Sequence, residues 1–218
     1  MCQIVPSLLV ESKAEFERRL RLVEGGAELV HVDVLDGTLF PQTNWHDAEA
    51  VGALRTSAKF ELHLMVENPL PIVEAWHTHV PGLERAIIHA EMSHPAGSVI
   101  RAVKAMDLEA GLALNPESPL EEIAAVARMI DQLTLMGVHP GASSQRFLGD
   151  AILQKIRDAK KRWPDLAVEM DGGATPELVP ALLAAGCDRI VAAHAIFGAA
   201  DQAAALASLS RLASAKRA

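Results

Sequence analysis

Four side chains that could do chemistry stand in or beside three short apolar runs of this sequence. His31 and Asp33 lie two residues apart in one run, His63 lies in a second, and Asp171 follows a third. On a β-strand, residues two apart point to the same side, so His31 and Asp33 would face one space together. A divalent metal ion accounts for such a set, because unpaired charges are costly to bury. The donors suit Zn²⁺, Mn²⁺, Fe²⁺ or Co²⁺, although each residue taken alone could also be an ordinary structural side chain.

The elements that must bring these residues together are eight short runs rich in Val, Ile and Leu. Most of them are continuously apolar, which is typical of parallel strands buried on both faces. Helical spacing between the runs predicts intervening helices, with Ser12, Ser118 and Thr175 near helix starts and Gly186 at a helix end. The runs span residues 3–9, 29–34, 58–65, 85–89, 108–114, 132–138, 167–170 and 189–193.

The number of runs favours a closed barrel over an open sheet. Eight strands in 218 residues leave about 27 residues for each strand–helix unit, which suits short loops. Residues 7–11, after the first run, contain no glycine and so lack a dinucleotide-binding fingerprint. We therefore expect an α/β protein with one domain over residues 1–218, a (β/α)₈ TIM barrel whose functional residues lie at the carboxyl ends of the strands.

Composition excludes several classes of protein. Half of the residues are apolar and 22% are charged, which is enough for a large core and unlike a disordered chain. The net charge of −8 argues against a nucleic-acid partner. No apolar stretch reaches the roughly 18 residues of a membrane span, and no signal peptide is visible. Cys2 and Cys187 are too few for a disulfide framework, so we expect a cytoplasmic protein without a membrane partner.

An ordered set of motifs resembles the ribulose-phosphate 3-epimerase family over most of the chain. Short pieces such as Asp171-Gly172-Gly173 are weak evidence individually, whereas the order of the whole set is specific. The set comprises Pro-Ser-Leu-Leu from residue 6, His-Val-Asp-Val-Leu-Asp-Gly from 31, His-Leu-Met-Val from 63, His-Ala-Glu from 89, Gly-Leu-Ala-Leu-Asn-Pro from 111, Met-Gly-Val-His-Pro-Gly from 136, Gln-Arg-Phe from 145 and Asp-Gly-Gly from 171. The resemblance implies a barrel of the ribulose-phosphate-binding type.

The resemblance also implies an activity, the conversion of D-ribulose 5-phosphate to D-xylulose 5-phosphate by a homo-oligomeric enzyme. It implies one divalent metal ion held by His31, Asp33, His63 and Asp171. Inverting a carbon beside a ketone requires an acid on each face of the substrate, and Asp33 and Asp171 would exchange these proton-transfer roles between the two directions. The metal would stabilise the enediolate oxygen as a Lewis acid.

The residues expected to contact the substrate divide between the sugar and its phosphate. Ser7 and His63 would contact the sugar, and Met65 and Met136 would cover the reacting carbons. Backbone groups of the last three strand–helix loops would cradle the phosphate. The expected set is Ser7, His63, Met65, Met136, Gly141, Ala142, Ser143, Ser144, Gly172, Gly173, Ala193 and His194.

The departures from the family pattern concern mainly the phosphate loops. Residues 140–145 lack the aromatic residue and paired glycines of the family, and Ala-Ala-His-Ala at 192–195 replaces Gly-Ser. Leu35 stands in place of a methionine, Thr38 of a histidine and His139 of an asparagine. Glycine allows close approach of a phosphate to the backbone, so these changes weaken the expectation of phosphate binding. An intact metal set beside altered tail-binding loops is what a changed substrate would produce.

Alternatives therefore stay open. The first is an epimerase of a different ketose, with an altered or absent phosphate, that uses the same metal site. A decarboxylase or aldolase is disfavoured, because similar barrels carry a lysine where this chain has Leu35. A non-catalytic barrel subunit is a third possibility, against which the intact ligand set argues. His89 and Glu91 share a strand face and would either support the metal ligands by hydrogen bonding or form a structural pair.

Overall fold

Eight parallel strands close into a barrel in chain order, from β1 to β8 and back to β1. The computed structural model describes residues 2–141 and 145–214. The predicted fold class is confirmed, and each strand lies within a few residues of its predicted position. The strands are β1 (Gln3–Leu8), β2 (Leu29–Leu35), β3 (Lys59–Met65), β4 (Leu83–His89), β5 (Glu109–Leu114), β6 (Gln132–Met136), β7 (Ala167–Asp171) and β8 (Arg189–Ala192).

Helices follow most strands and cover the outside of the barrel. A single 3₁₀ segment, Leu120–Ile123, takes the place of a helix between β5 and β6. Among the described residues, no helix combines the length and the apolar character needed to cross a membrane. The helices are α1 (Lys13–Val23), α2 (Ala48–Gly52), α3 (Leu70–His79), α4 (Ala96–Lys104), α5 (Asp150–Arg162), α6 (Val179–Ala185), α7 (His194–Phe197) and α8 (Gln202–Ala213).

The predicted helix ends are confirmed at two places and wrong at two. The Ser12 hydroxyl accepts the backbone N–H of Glu15 at the start of α1, and Gly186 ends α6 with a φ of 103°. Ser118 does not cap a helix, because its hydroxyl donates instead to Glu91 Oε1 at 2.5 Å. Thr175 precedes α6 by a turn, and no side chain caps that helix.

The apolar core lies mainly between the strands and the helices. Its largest buried side chains include Trp76, Phe16 and Phe60, whose rings pack against one another. Inside the barrel, Val5 and Val191 belong to a smaller apolar cluster. The apolar layer between the strands and the helices stabilises the barrel. It leaves the strand residues that point inward to form the site.

Charged and polar side chains fill the barrel interior below the mouth. Arg85 donates to Glu61 and to Glu109 on the flanking strands. Glu169 Oε1 accepts from Gln132 Nε2 at 2.9 Å and from Thr134 Oγ1 at 3.0 Å. This layer was not predicted from the sequence.

The fully buried Glu169 carboxyl lies within hydrogen-bond reach of Glu61. Its second oxygen, Oε2, accepts no hydrogen bond from the described residues. Burial and the negative charge of Glu61 raise the pKa of Glu169 to about 8. In the folded protein Glu169 is therefore a neutral acid near pH 7 that can donate its proton to Glu61.

Replacing Glu169 by Gln should make the protein more resistant to alkaline pH. The folded pKa lies above the unfolded value of 4.5, so wild-type protein loses stability as pH rises from about 4.5 to about 8, whereas the amide does not titrate. Between pH 5 and 9, we expect the free energy of unfolding of Glu169→Gln to gain about 1–3 kcal/mol relative to wild type. Urea denaturation across this range measures the effect, and parallel profiles for the two proteins would contradict it.

Candidate active site

His31, Asp33, His63 and Asp171 converge at the mouth of the barrel. One ligand atom from each lies within 4.8 Å of the others. His31 and Asp33 lie on β2, His63 on β3 directly beside Asp33, and Asp171 at the end of β7. Strands β1 and β8 separate β2 from β7, so the two aspartates approach the mouth from different sides. The barrel thus brings together the four residues that the sequence analysis selected.

Asp33 is the centre of the hydrogen bonding in this cluster. Its Oδ2 accepts the Ser7 hydroxyl at 2.5 Å, and its Oδ1 lies 3.1 Å from His63 Nδ1. His63 Nδ1 is also 3.2 Å from Asp171 Oδ2. His31 Nε2 lies 3.4 Å from Asp33 Oδ1. One side of each imidazole therefore faces the aspartates.

The donor atoms of this cluster fit a divalent metal ion. His31 is fully buried, and its Nδ1 is 2.8 Å from Glu61 Oε1. A carboxylate accepts a proton at that position, so Nε2 is the nitrogen left to bind an ion once the ring is neutral. Nε2 lacks a well-aligned hydrogen bond to the described residues. A buried nitrogen of this kind beside two carboxylates is a suitable metal ligand.

When no ion is bound, protons on the two histidines balance part of the negative charge of the aspartates. Burial alone would lower the pKa of His63, but its hydrogen bonds to Asp171 and Asp33 raise that pKa to about 9. Burial alone would raise the pKa of Asp33, but hydrogen bonds to His31 and His63 hold it well below its usual range. The pKa of His31 is likewise raised, because hydrogen bonds to Asp33 and Glu61 outweigh the effect of burial. The cluster therefore favours positive charge between its carboxylates.

A cavity of about 120 Å³ opens onto this cluster at the carboxyl ends of the strands. Asp33 and Asp171 are 7% and 8% exposed there, whereas His63 is fully buried and does not line the cavity. Ala142, Ser143 and Ser144 lie outside the described residues. The other predicted substrate contacts all line the cavity: Ser7, Met65, Met136, Gly141, Gly172, Gly173, Ala193 and His194.

Several further lining residues were not predicted from the sequence. Most of them lie at a strand end or in the loops after β6 and β7, so their position relative to the predicted strands was the signal that could have identified them. Glu61 was missed as the partner of His31, although it stands two residues before His63 and so shares its strand face. The missed lining residues are Leu9, Val138, His139, Pro140, Gln145, Ala174, Thr175 and Val191.

The turn after β7 needs its two glycines. Gly172 and Gly173 have φ values of +100° and +74°, a region that side chains disfavour. A Cβ atom on Gly172 would lie 2.3 Å from Val138 Cγ2, and one on Gly173 would lie 2.6 Å from the Phe147 backbone nitrogen. The glycines thus let the backbone after Asp171 line the cavity closely.

Residues that depart from the family pattern have defined contacts. Thr38 Oγ1 donates to Asp36 Oδ1 at 2.5 Å and accepts the Glu67 backbone N–H at 2.9 Å, which ties the loop after β2 to the end of β3. The Gln42 side chain lies against Gly141, where a Cβ atom would come within 2.4 Å of its Oε1. The loop after β2 therefore reaches the loop after β6 at the edge of the cavity.

The closed (β/α)₈ barrel and the buried histidine–aspartate cluster beneath its mouth define an enzyme of the TIM-barrel class. The ribulose-phosphate 3 epimerase family model matches residues 3–197. Ribulose-phosphate 3-epimerase of Bacillus subtilis is 32% identical over 210 residues, covering 93% of this chain and 95% of that protein. The Mycobacterium bovis enzyme of the same name is 33% identical over 222 residues, covering 97% and 93%. The chain belongs to the ribulose-phosphate 3-epimerase family and is an isomerase that acts on carbohydrates.

Solved structures support the fold. 3-Hexulose-6-phosphate synthase from Salmonella typhimurium superposes with a TM-score of 0.75 over 97% of this chain and 98% of that one. The sequence identity is 14%, so this similarity concerns the barrel and not the activity.

The raised pKa of His63 predicts a pH dependence for the metal-free protein. The stabilisation from His63 is complete below its ordinary pKa of 6.5 and is lost as pH rises through about 9. In chelator-treated protein, it amounts to at most about 3 kcal/mol. We expect His63→Gln to show a correspondingly smaller fall in the free energy of unfolding between pH 6 and 9.5, measured by urea denaturation. Equal falls in both proteins would show that His63 does not carry the effect.

Proposed function

We propose that this protein is a metal-dependent ketose-phosphate 3-epimerase that interconverts D-ribulose 5-phosphate and D-xylulose 5-phosphate. The observation that carries the proposal is the pair Asp33 and Asp171, which enter one cavity from strands separated by β1 and β8. Epimerisation beside a ketone removes a proton from one face of C3 and returns a proton to the opposite face. Two carboxylates that approach from different sides can perform both transfers.

Each residue around the reacting carbon has a distinct role in this proposal. Asp33 takes the C3 proton in one direction while Asp171 delivers a proton to the other face, and the roles reverse for the return reaction. The Ser7 hydroxyl orients Asp33 through the 2.5 Å hydrogen bond to Oδ2. Met65 and Met136 line the cavity and supply polarisable, water-excluding surface over the enediolate.

His31 Nε2, His63 Nδ1 and the carboxylates of Asp33 and Asp171 would hold one divalent metal ion. Zn²⁺, Mn²⁺, Fe²⁺ and Co²⁺ all accept this set of ligands. When bound, the ion supplies Lewis-acid stabilisation of the negative charge on the substrate oxygens. The buried His31 Nε2, which has no well-aligned hydrogen bond among the described residues, supports this assignment.

The proposal includes a cytoplasmic, homo-oligomeric enzyme that acts on a small molecule. Cys2 and Cys187 are buried and are not joined by a disulfide, which suits a reducing compartment. The family resemblance supports the homo-oligomer.

Asp33→Asn and Asp171→Asn should each lose proton transfer at C3. A positioned acid or base contributes about 10²–10⁴-fold to such a step, so we expect kcat to fall by at least 10²-fold in each variant. The measurement is deuterium uptake at C3 of ribulose 5-phosphate in D₂O, together with formation of xylulose 5-phosphate. Wild-type protein should lose the uptake with a chelator and regain it with added metal. Near wild-type turnover in both variants would refute the two-acid mechanism.

A second candidate is an epimerase of another ketose, with an altered or absent phosphate. The specific observation that favours it is the composition of the cavity wall where a phosphate would lie. Ala193 and His194 line this wall, and Gln42 packs against Gly141 at its edge. Ala193 and His194 belong to the segment 192–195, which stands where the family pattern has Gly-Ser.

Phosphorylated and free ketoses distinguish the two candidates. If the leading proposal holds, kcat/KM for ribulose 5-phosphate should exceed that for free ribulose by at least 10²-fold, because a bound phosphate contributes several charge-assisted hydrogen bonds. Initial rates over a panel of free and phosphorylated ketoses measure the ratio. A preference for a free ketose would favour the second candidate and leave the proton chemistry unchanged.

A further inference from the structure

The nitrogen of His63 that faces away from the aspartates begins a second chain of buried contacts. His63 Nε2 lies 2.9 Å from His89 Nε2, and the two ring planes are inclined by only 17°. His89 Nδ1 lies 2.9 Å from Glu91 Oε2. His89 is fully buried, and the Phe40 ring packs edge-on against it. This chain of three residues runs from the candidate metal ligand to the loop after β4.

The proton positions in this chain follow from its carboxylate end. Burial would raise the pKa of Glu91, but hydrogen bonds from His89, Ser118 and the Asn115 backbone lower it to about 2. An ionised carboxylate only accepts, so His89 Nδ1 must donate to Glu91. With that proton on Nδ1, the Nε2 of a neutral His89 ring, 2.9 Å from His63 Nε2, carries the lone pair. That lone pair accepts the Nε2–H of His63.

Glu91 is itself held in place from the other side. Its Oε1 accepts the Asn115 backbone N–H at 2.7 Å and the Ser118 hydroxyl at 2.5 Å. Both partners belong to the segment after β5, which therefore fixes the partly exposed Glu91 carboxylate on the side opposite His89. A surface ion pair would not need this support, and the arrangement is that of a positioned acceptor.

We propose that Glu91 and His89 are positioning residues that keep the proton of His63 on Nε2 and direct the Nδ1 lone pair toward Asp33 and Asp171. This inference rests on the proposed function, in which His63 Nδ1 is a metal ligand. Glu61 performs the matching task for His31, since it engages Nδ1 and leaves Nε2 free for the ion. Neither Glu91 nor His89 lines the cavity, so both act through His63.

Glu91→Gln tests the proposal because it reverses the direction of the hydrogen bonds between His63, His89 and residue 91, while the side chain keeps nearly the same shape. The Asn115 N–H is a fixed donor, so the amide oxygen must stay beside it and the amide NH₂ must face His89 Nδ1. His89 then carries its proton on Nε2 and donates it in a hydrogen bond to His63 Nε2. His63 must therefore keep its own proton on Nδ1. To bind at His63 Nδ1, a metal ion would first have to displace the proton that this tautomer carries there. We expect the dissociation constant for Zn²⁺ to rise about 10–100-fold.

Two measurements compare the variant with wild-type protein, and neither of them depends on catalysis. Competition with a chromophoric chelator gives the Zn²⁺ affinity, and ¹⁵N NMR of metal-free protein gives the tautomer of His89. We expect Nδ1–H in wild type and Nε2–H in Glu91→Gln. Glu67→Gln is the matched control, because Glu67 Oε2 also accepts a backbone N–H and a hydroxyl, both from Ser93. The control should keep the wild-type affinity and tautomer.

The outcomes separate this inference from the proposed function. Wild-type affinity and an unchanged His89 tautomer in Glu91→Gln would overturn the positioning role. If wild-type protein binds none of Zn²⁺, Mn²⁺, Fe²⁺ and Co²⁺, the metal assignment of the proposed function fails. The His89 tautomer still shows the direction of the hydrogen bonds between His63 and Glu91. If Glu91→Gln does not fold, His89→Phe keeps a ring beside Phe40 and removes the acceptor. It should show a comparable loss of Zn²⁺ affinity, and an unchanged affinity would refute the proposal.

Discussion

Every ionisable group inside this barrel needs a partner, because the surrounding strands and helices exclude water and an unpaired buried charge is costly. The pairing is continuous through much of the interior. It runs from Arg85 through Glu61 to His31, and from there to Asp33 and His63 at the mouth. Removing one partner would leave the next group uncompensated. The geometry of the site is therefore set by charge pairing as much as by apolar packing.

This constraint explains why the two imidazoles are held from behind. Each uses one nitrogen for a buried partner, Glu61 for His31 and His89 for His63, and turns the other toward the aspartates. The aspartates alone reach the cavity with a small exposed fraction. Groups that hold the site rigidly lie on strands below it, and groups that can move protons to and from a substrate face the open side.

The loops obey a weaker constraint than the strands. A side chain that points into the barrel must satisfy its neighbours on adjacent strands, whereas a loop residue at the mouth can change without disturbing the charge pairing. This difference allows an intact acid–base set to stand beside altered loops after β6 and β8. Ala193 and His194 on the cavity wall show where such changes fall. Recognition of the substrate tail can therefore diverge while the proton chemistry stays the same.

The barrel and the four-residue cluster were predictable because they depend on local pattern: apolar runs mark buried strands, and a period of two places His31 and Asp33 on one face. The partners of these residues were not predictable in the same way. Glu61 meets His31 across 30 residues of chain, and Glu169 meets Gln132 across 37. Strand register and barrel closure decide such contacts, and neither leaves a signal in the spacing of one strand. The sequence thus contains the reacting groups in readable form, whereas their protonation and orientation arise only when distant strands become neighbours.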